Sequence, residues 1–277
     1  MQKTWFITGT STGLGRLMTE KLLARGDRVA ATLRKAGSLD DLKAQYGDLL
    51  WVAQLDLTEV HQIREVVDAA FVEFGRIDII VSNAGYGLFG AAEELNDAQI
   101  SRQIATNLTG SIQLIRAALP HLREQGGGRI VQVSSEGGQI SYPNFSLYHA
   151  TKWGIEGFIE AVAQEVTGFG IDFMIAEPGP TRTNFAAALD CAQPSEIYAD
   201  TSSGELRRLI SSGGFTIRGD AANTVDVLIE AADLNTPPLR LVLGSTAYEN
   251  IRAALINRLE TLETQRDLAL LADKKEN

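Results

Sequence analysis

Seven short runs dense in aliphatic and β-branched residues recur along the chain: "TWFIT", "RVAATL", "LLWVAQL", "IDIIVS", "GRIVQVS", "IDFMIA" and "LRLVL". Between them lie longer segments of helical period, which predict helices over about 14–25, 59–74, 97–124, 147–168 and 219–233. Strand–helix alternation of this kind implies right-handed crossovers and a parallel sheet covered on both faces. The expected fold is therefore α/β, a doubly wound parallel seven-stranded sheet. Two segments break the alternation. Residues 184–218, rich in Ala, Ser and Gly, read as a substrate lid; residues 247–273, with Ile251, Leu255, Leu259 and Leu262 at helical spacing, read as a packed C-terminal helical tail. No repeat of solenoid length or low-complexity tract interrupts the pattern, and Gly126-Gly127-Gly128 reads as a helix-to-strand turn.

Composition narrows the class of partner. With 277 residues, 44% of them hydrophobic, the chain can bury a substantial core, and a single domain over 1–277 is expected. A formal charge of −10, from 35 acidic against 25 basic residues, opposes attraction to nucleic acid or to an anionic membrane surface. Cys191, the only cysteine, has no partner for an intramolecular disulfide, and no CxxC or Cys/His cluster offers a metal site. "MQK" leads straight into the first apolar run, and no apolar stretch reaches spanning length. A soluble cytoplasmic protein without metal is the expectation.

The first strand runs into "WFITGTSTGLGRL", which superimposes two motifs. Gly9-Thr10-Ser11-Thr12-Gly13 is a literal G-x-S-x-G, the elbow of a hydrolase serine. Gly9, Gly13 and Gly15 form instead a glycine loop able to hold a dinucleotide pyrophosphate. The hydrolase reading needs an oxyanion-hole loop before the serine and an acid and a histidine after it. Almost nothing precedes Ser11, and His61, His121 and His149 sit in unsuitable contexts. The nucleotide reading needs only a strand ending at Thr8 and a helix from Leu14, whose free N–H groups and positive end face a phosphate.

The glycine loop, Thr8-Gly9-x-x-x-Gly13-x-Gly15, is followed in order by two further motifs, Asn83-Ala84-Gly85 after the fourth strand and Tyr148-x-x-x-Lys152. Over about residues 4 to 185 the chain resembles the short-chain dehydrogenase/reductase family, single-domain Rossmann-fold enzymes of the carbonyl reductase or alcohol dehydrogenase type. The resemblance implies a nicotinamide cofactor, a small-molecule ketone or secondary alcohol as substrate, and a homo-oligomer, dimer or tetramer.

Tyr148 and Lys152, four apart on a helix, share a face, so the ammonium can favour the phenolate and bring the phenol toward neutral pH. Tyr148 then exchanges a proton with the substrate oxygen. By resemblance Lys152 also binds the nicotinamide ribose. Ser135 ends the fifth strand at its carboxyl edge, where open α/β sheets place ligands, and its distance from Tyr148 resembles that of the family's catalytic serine; Ser134 is the alternative. Asn107 resembles the family asparagine that holds a relay water, with a structural role as the alternative. Asp56 and Leu57 resemble the adenine-side contacts, with a turn before Thr58 as the alternative for Asp56. Pro178, Gly179, Thr181 and Thr183 resemble the carboxamide loop, with Thr183 preferred to Thr181. His149, next to Tyr148, is given no role.

The second strand bears on cofactor choice. NAD enzymes carry an acid at its carboxyl end for the ribose 2′-hydroxyl, whereas a 2′-phosphate calls for positive charge. Leu33 stands where the acid would be, and Arg34-Lys35 follow; Thr10, Ser11 and Thr12 add hydroxyls. NADP(H) is expected, and Ser11 becomes a phosphate contact rather than a nucleophile. Tyr86, Leu88, Phe89, Tyr142, Phe145, Phe185, Ile197, Tyr198 and Phe215 are expected to form an apolar substrate pocket, favouring a hydrophobic or aromatic ketone. The alternative is a non-catalytic NADP(H)-binding sensor on the same fold.

Overall fold

The computed structural model describes residues 2–214 and 216–273. All seven apolar runs are strands of one sheet: β1 (Thr4–Thr8), β2 (Arg28–Leu33), β3 (Leu50–Gln54), β4 (Ile79–Ser82), β5 (Gly128–Val133), β6 (Ile171–Pro178) and β7 (Arg240–Leu243). Every neighbouring pair is parallel, in the order β3-β2-β1-β4-β5-β6-β7. The helices are α1 (Gly13–Ala24), α2 (Asp40–Tyr46), α3 (Val60–Phe74), α4 (Asp97–Ile104), α5 (Gly110–Glu124), α6 (Ser146–Glu165), α7 (Ser202–Ser211), α8 (Ala221–Asp233), α9 (Ser245–Glu263) and α10 (Arg266–Leu270).

Side-chain alternation along the strands feeds two cores. Phe6, Ile80 and Ile130 point to the face packed by Ile63 and Phe71 of α3, Leu114 and Ile115 of α5, and Ile155 and Ile159 of α6. Trp5, Ile7, Val131 and Met174 point to the opposite face, against Met18 and Leu22 of α1 and Val225 and Leu228 of α8. Burial on both faces is why these strands read as continuous apolar runs. Strand order reverses between β1 and β4, which opens a crevice at the carboxyl ends, the place where such sheets bind ligands.

Four features differ from the sequence expectation. The segment 97–124 is not one regular helix: a π-helical turn over Ala105–Thr109 separates α4 from α5. The short helices α2 and α7 leave no helical period legible in the sequence, because each is brief and strongly polar. The lid segment 184–218 contains α7 and a short pairing of Asp190–Cys191 with Leu88–Phe89. The tail is helical but only its first turns are packed. Ala247 and Ile251 are buried against Ile140 and Tyr142, whereas Leu255, Leu259 and Leu262 are 50%, 58% and 63% exposed. No helix of the described residues is long and apolar enough to cross a membrane.

Candidate active site

A single cavity of about 1530 Å³ runs along the carboxyl ends of the strands. That exceeds the usual volume of one small-ligand pocket, roughly 300–1,000 Å³, so it has room for a dinucleotide and a second molecule. One end is built by the glycine turn. Gly9 and Gly13 have φ of +72° and +61°, a left-handed backbone that favours glycine. A Cβ at Gly9 would lie 2.8 Å from the Cα of Ala84, so the turn sits directly on the Asn83-Ala84-Gly85 strand end. Asn83 latches it by donating from Nδ2 to the carbonyls of Thr8 (2.8 Å) and Gly9 (3.2 Å). Thr12, the residue before α1, is extended and offers no side-chain cap, which leaves the first N–H groups of the helix directed at the cavity.

The expected cofactor residues divide into those that face the cavity and those that shape it. Gly9, Ser11, Thr12, Gly13, Leu14, Arg34, Lys35, Asp56, Leu57, Asn83, Ala84, Gly85, Pro178, Gly179, Thr181 and Thr183 all line it. Thr10 does not: it is fully buried and its hydroxyl donates to the Thr32 carbonyl, so it braces β2 rather than contacting a phosphate. Gly15 does not either. A Cβ there would lie 2.4 Å from the Gly9 carbonyl oxygen, so glycine permits close packing of helix on turn. Asp56 Oδ1 accepts from both the N–H (2.9 Å) and the hydroxyl (2.8 Å) of Thr58, the turn role weighed as its alternative, while the residue still lines the cavity. Arg34 and Lys35 form no salt bridge among the described residues.

At the centre, β5 and α6 bring Ser135, Tyr148 and Lys152 together on the cavity wall. The Ser135 Oγ accepts from the Gly137 N–H at 3.0 Å, which leaves its own proton to donate. Ser134 also borders the cavity, but its hydroxyl is taken up in donating to Glu156. Lys152 is buried, donates from Nζ to the Val133 carbonyl at 2.9 Å, and lies 5.6 Å from the centre of the Tyr148 ring. Burial pulls the Lys152 ammonium down to about 8, opposed by the Glu156 charge. Tyr148 departs from the sequence expectation. Burial pushes its phenol up to about 12, the Ser135 hydroxyl acts to lower it, and the charges of Glu136 and Glu156 add to the rise. The protein alone therefore keeps Tyr148 protonated at neutral pH, because desolvation together with the two glutamate charges outweighs the Ser135 hydrogen bond.

Asn107 occupies the π-helical turn, buried, with its side chain accepting from the Tyr86 N–H (3.1 Å) and donating to the Tyr86 carbonyl (2.8 Å). It is not a cavity-lining residue; the structural role holds for its side chain. His149 is a clamp that sequence reading gave no role. Its Nε2 accepts from the Tyr142 N–H at 2.9 Å, so the proton resides on Nδ1 and is donated to the Gly137 carbonyl at 2.8 Å. Burial lowers its pKa.

The end of the cavity away from the glycine turn is walled by Tyr86, Tyr142, Phe145 and Phe185, and also by Leu189, Leu206, Ile210 and Ile217 of segment 184–218, which the sequence expectation did not include. The Leu206–Ile210 spacing was the available signal. Leu88 and Phe89 do not line the cavity. Leu88 is buried with Leu95 and Ala192, and Phe89 sits behind Phe145 with ring centres 5.0 Å apart, because their short strand pairs with Asp190–Cys191. Ile197 and Tyr198 lie outside it as well, Ile197 being 71% exposed on the outer side of the lid. Phe215 lies outside the described residues. The lid is tied down by ion pairs of Arg102 with Asp190 and of Arg207 with Glu94.

Comparison with known proteins places the fold in a family. The profile of the short chain dehydrogenase family matches residues 3–193. The oxidoreductase BOA17 of Botryotinia fuckeliana is 37% identical over 251 residues, covering 90% of this chain and 91% of its own. The oxidoreductase calM of Penicillium decumbens is 33% identical over 285 residues, covering 97% and 92%. A crystal structure of a short-chain dehydrogenase from Streptomyces avermitilis superposes with a TM-score of 0.90 at 35% identity, over 98% of each chain. With the profile spanning most of the chain and relatives aligned along nearly all of it, the chain belongs to the short-chain dehydrogenase/reductase family of oxidoreductases.

Proposed function

We propose that the protein is an NADPH-dependent reductase of apolar ketones, or the corresponding secondary-alcohol dehydrogenase. The observation that carries this reading is the meeting of Ser135, Tyr148 and Lys152 on one wall of a cavity whose other end is an uncapped helix start. The residues present fit a dinucleotide: Gly9 allows the turn to press on Ala84, and Gly13, with φ of +61°, lines the cavity at the helix start with only Thr183 in van der Waals reach of a Cβ built on it, at 3.9 Å. When bound, the nicotinamide supplies or accepts the hydride.

The chain's own residues do the rest. The Ser135 hydroxyl donates to the substrate oxygen and stabilises the charge that develops there. Tyr148, loaded with its proton at neutral pH, delivers it to that oxygen, or takes it back in the alcohol direction. Lys152 holds positive charge beside the phenol and orients the nicotinamide ribose. Leu33 offers no carboxylate, and the Arg34 guanidinium with Lys35 and Ser38 suits a 2′-phosphate. Tyr142, Phe145, Phe185, Leu206 and Ile210 favour a hydrophobic or aromatic substrate. Among the described lid residues that line the cavity, Asp190 is the one that carries a charge, and Arg102 pairs with it. The test is loss of absorbance of reduced nicotinamide with a panel of ketones, using NADPH and NADH in parallel; absence of turnover across the panel with bound cofactor would favour a cofactor sensor.

A further inference from the structure

Below the wall that holds Tyr148 and Lys152 lies a charged cluster that the reaction as described does not use. Glu156 stands one helical turn beyond Lys152 on α6 and is 2% exposed. Its Oε1 accepts from the Ser134 hydroxyl, and its Oε2 accepts from Gln139 Nε2 at 2.7 Å and Arg240 Nη1 at 2.6 Å. Arg240, reaching in from β7, also binds Glu177 of β6 and Glu160 of α6.

Two features make this more than a buried ion pair. First, Lys152 and Glu156 grip consecutive residues at the end of β5: the lysine takes the Val133 carbonyl and the glutamate takes the Ser134 hydroxyl, immediately before Ser135. Second, the turn after Ser135 is moulded on Glu156, since a Cβ at Gly138 would fall 1.8 Å from its Oε1. A carboxylate buried this deeply is retained only with full hydrogen bonding and a paired charge, both of which Arg240, Gln139 and Ser134 supply.

We propose that Glu156, paired with Arg240, is a positioning residue of the reaction: it fixes the Ser134–Gly138 turn against α6 and stands as the counter-charge one helical turn from the buried Lys152. The inference rests on the assignment of Tyr148 and Lys152 to the reaction. Among the described residues, Glu156 acts on Lys152, the Tyr148 ring lies 5.6 Å from its ammonium, Arg240, Glu177 and Glu160 surround Glu156, and Glu136 from the turn acts on Tyr148. Without Glu156, the desolvated ammonium loses its opposing charge and gives up its proton at lower pH.

The experiment is the pH dependence of NADPH affinity, read by cofactor fluorescence, for the wild type and Glu156→Gln. Wild-type affinity weakens as Lys152 loses charge at alkaline pH. In Glu156→Gln the midpoint of that weakening moves about one pH unit lower, the scale of a lost neighbouring charge. A midpoint unmoved in the variant overturns the inference while leaving the proposed function intact, whereas wild-type affinity that is flat through alkaline pH removes the Lys152 assignment itself. Should Glu156→Gln fail to fold, Ser134→Ala tests the positioning half. It deletes only the bond that ties β5 to Glu156, and kcat with saturating ketone and NADPH falls about three- to tenfold, the scale of one hydrogen bond. Wild-type kcat in Ser134→Ala contradicts it.

Discussion

Adding one methyl group at each glycine of the first turn separates folding from cofactor binding. At Gly9, alanine meets two penalties: a left-handed φ of +72°, worth about 1–2 kcal/mol, and a Cβ 2.8 Å from the backbone of Ala84, whose relief by a local shift costs about 1–3 kcal/mol. The sum of roughly 2–5 kcal/mol corresponds to a fall in Tm on the order of 5–15 °C for a chain of this size. At Gly15 the conformational penalty is absent but the Cβ would lie 2.4 Å from the Gly9 carbonyl, so only the packing cost of about 1–3 kcal/mol remains. At Gly13 the reverse holds: φ is +61°, and the nearest atom to the new methyl is 3.9 Å away. Gly13→Ala loses only about 1–2 kcal/mol of stability, yet the methyl stands where the uncapped helix start faces the cavity, and NADPH affinity falls at least about tenfold, or 1.4 kcal/mol. Thermal unfolding by circular dichroism and NADPH titration by fluorescence measure the two effects. Gly9→Ala unfolding within about 2 °C of wild type, or Gly13→Ala binding NADPH normally, would refute the reasoning.

Three further outcomes follow from the site. Leu33→Asp with Arg34→Ala reverses the preference for NADPH over NADH, because a charge-assisted phosphate contact worth roughly 1.5–3 kcal/mol is replaced by a carboxylate that accepts from the ribose hydroxyl; the ratio of kcat/KM values at one ionic strength reads it, and an unchanged ratio refutes it. Carbonyl-reduction kcat/KM falls as pH rises through about 8, where Lys152 loses its charge. Stability moves the other way across that window: the native lysine is depressed to about 8 from an unfolded value near 10.5, so the unfolded chain binds more protons there and this residue favours the native state as pH rises. An activity loss that tracks unfolding in a parallel melt would contradict this. Leu206→Asp places a charge on the apolar lid wall and raises KM for a hydrophobic ketone about tenfold or more without altering NADPH affinity, and equal KM values would move the substrate elsewhere.

The sheet was legible because its strands are buried on both faces, which writes them as unbroken apolar runs such as "TWFIT" and "RIVQV". The site was legible where chemistry needs a residue type at a fixed spacing, as for Gly9, Gly13, Tyr148 and Lys152. What sequence could not supply was the partner of each side chain. Thr10 looked like another hydroxyl for a phosphate, but Thr32 takes it. Leu88 and Phe89 followed a cofactor motif and looked like pocket wall, but pairing with Asp190–Cys191, some hundred residues on, turned them inward. Ile251, Leu255, Leu259 and Leu262 correctly announced a helix, yet periodicity reports an apolar stripe and not whether anything covers it. Glu156 resembles any glutamate of an amphipathic helix until Arg240, 84 residues away, closes on it.

The most direct test of the account is Tyr148→Phe, which keeps the ring and removes the transferable proton. Steady-state turnover of a ketone by this variant, with NADPH affinity measured alongside, should show kcat lowered at least about 100-fold and affinity unchanged. Turnover close to wild type would contradict the assignment of Tyr148 as the proton donor, and with it the proposed reaction.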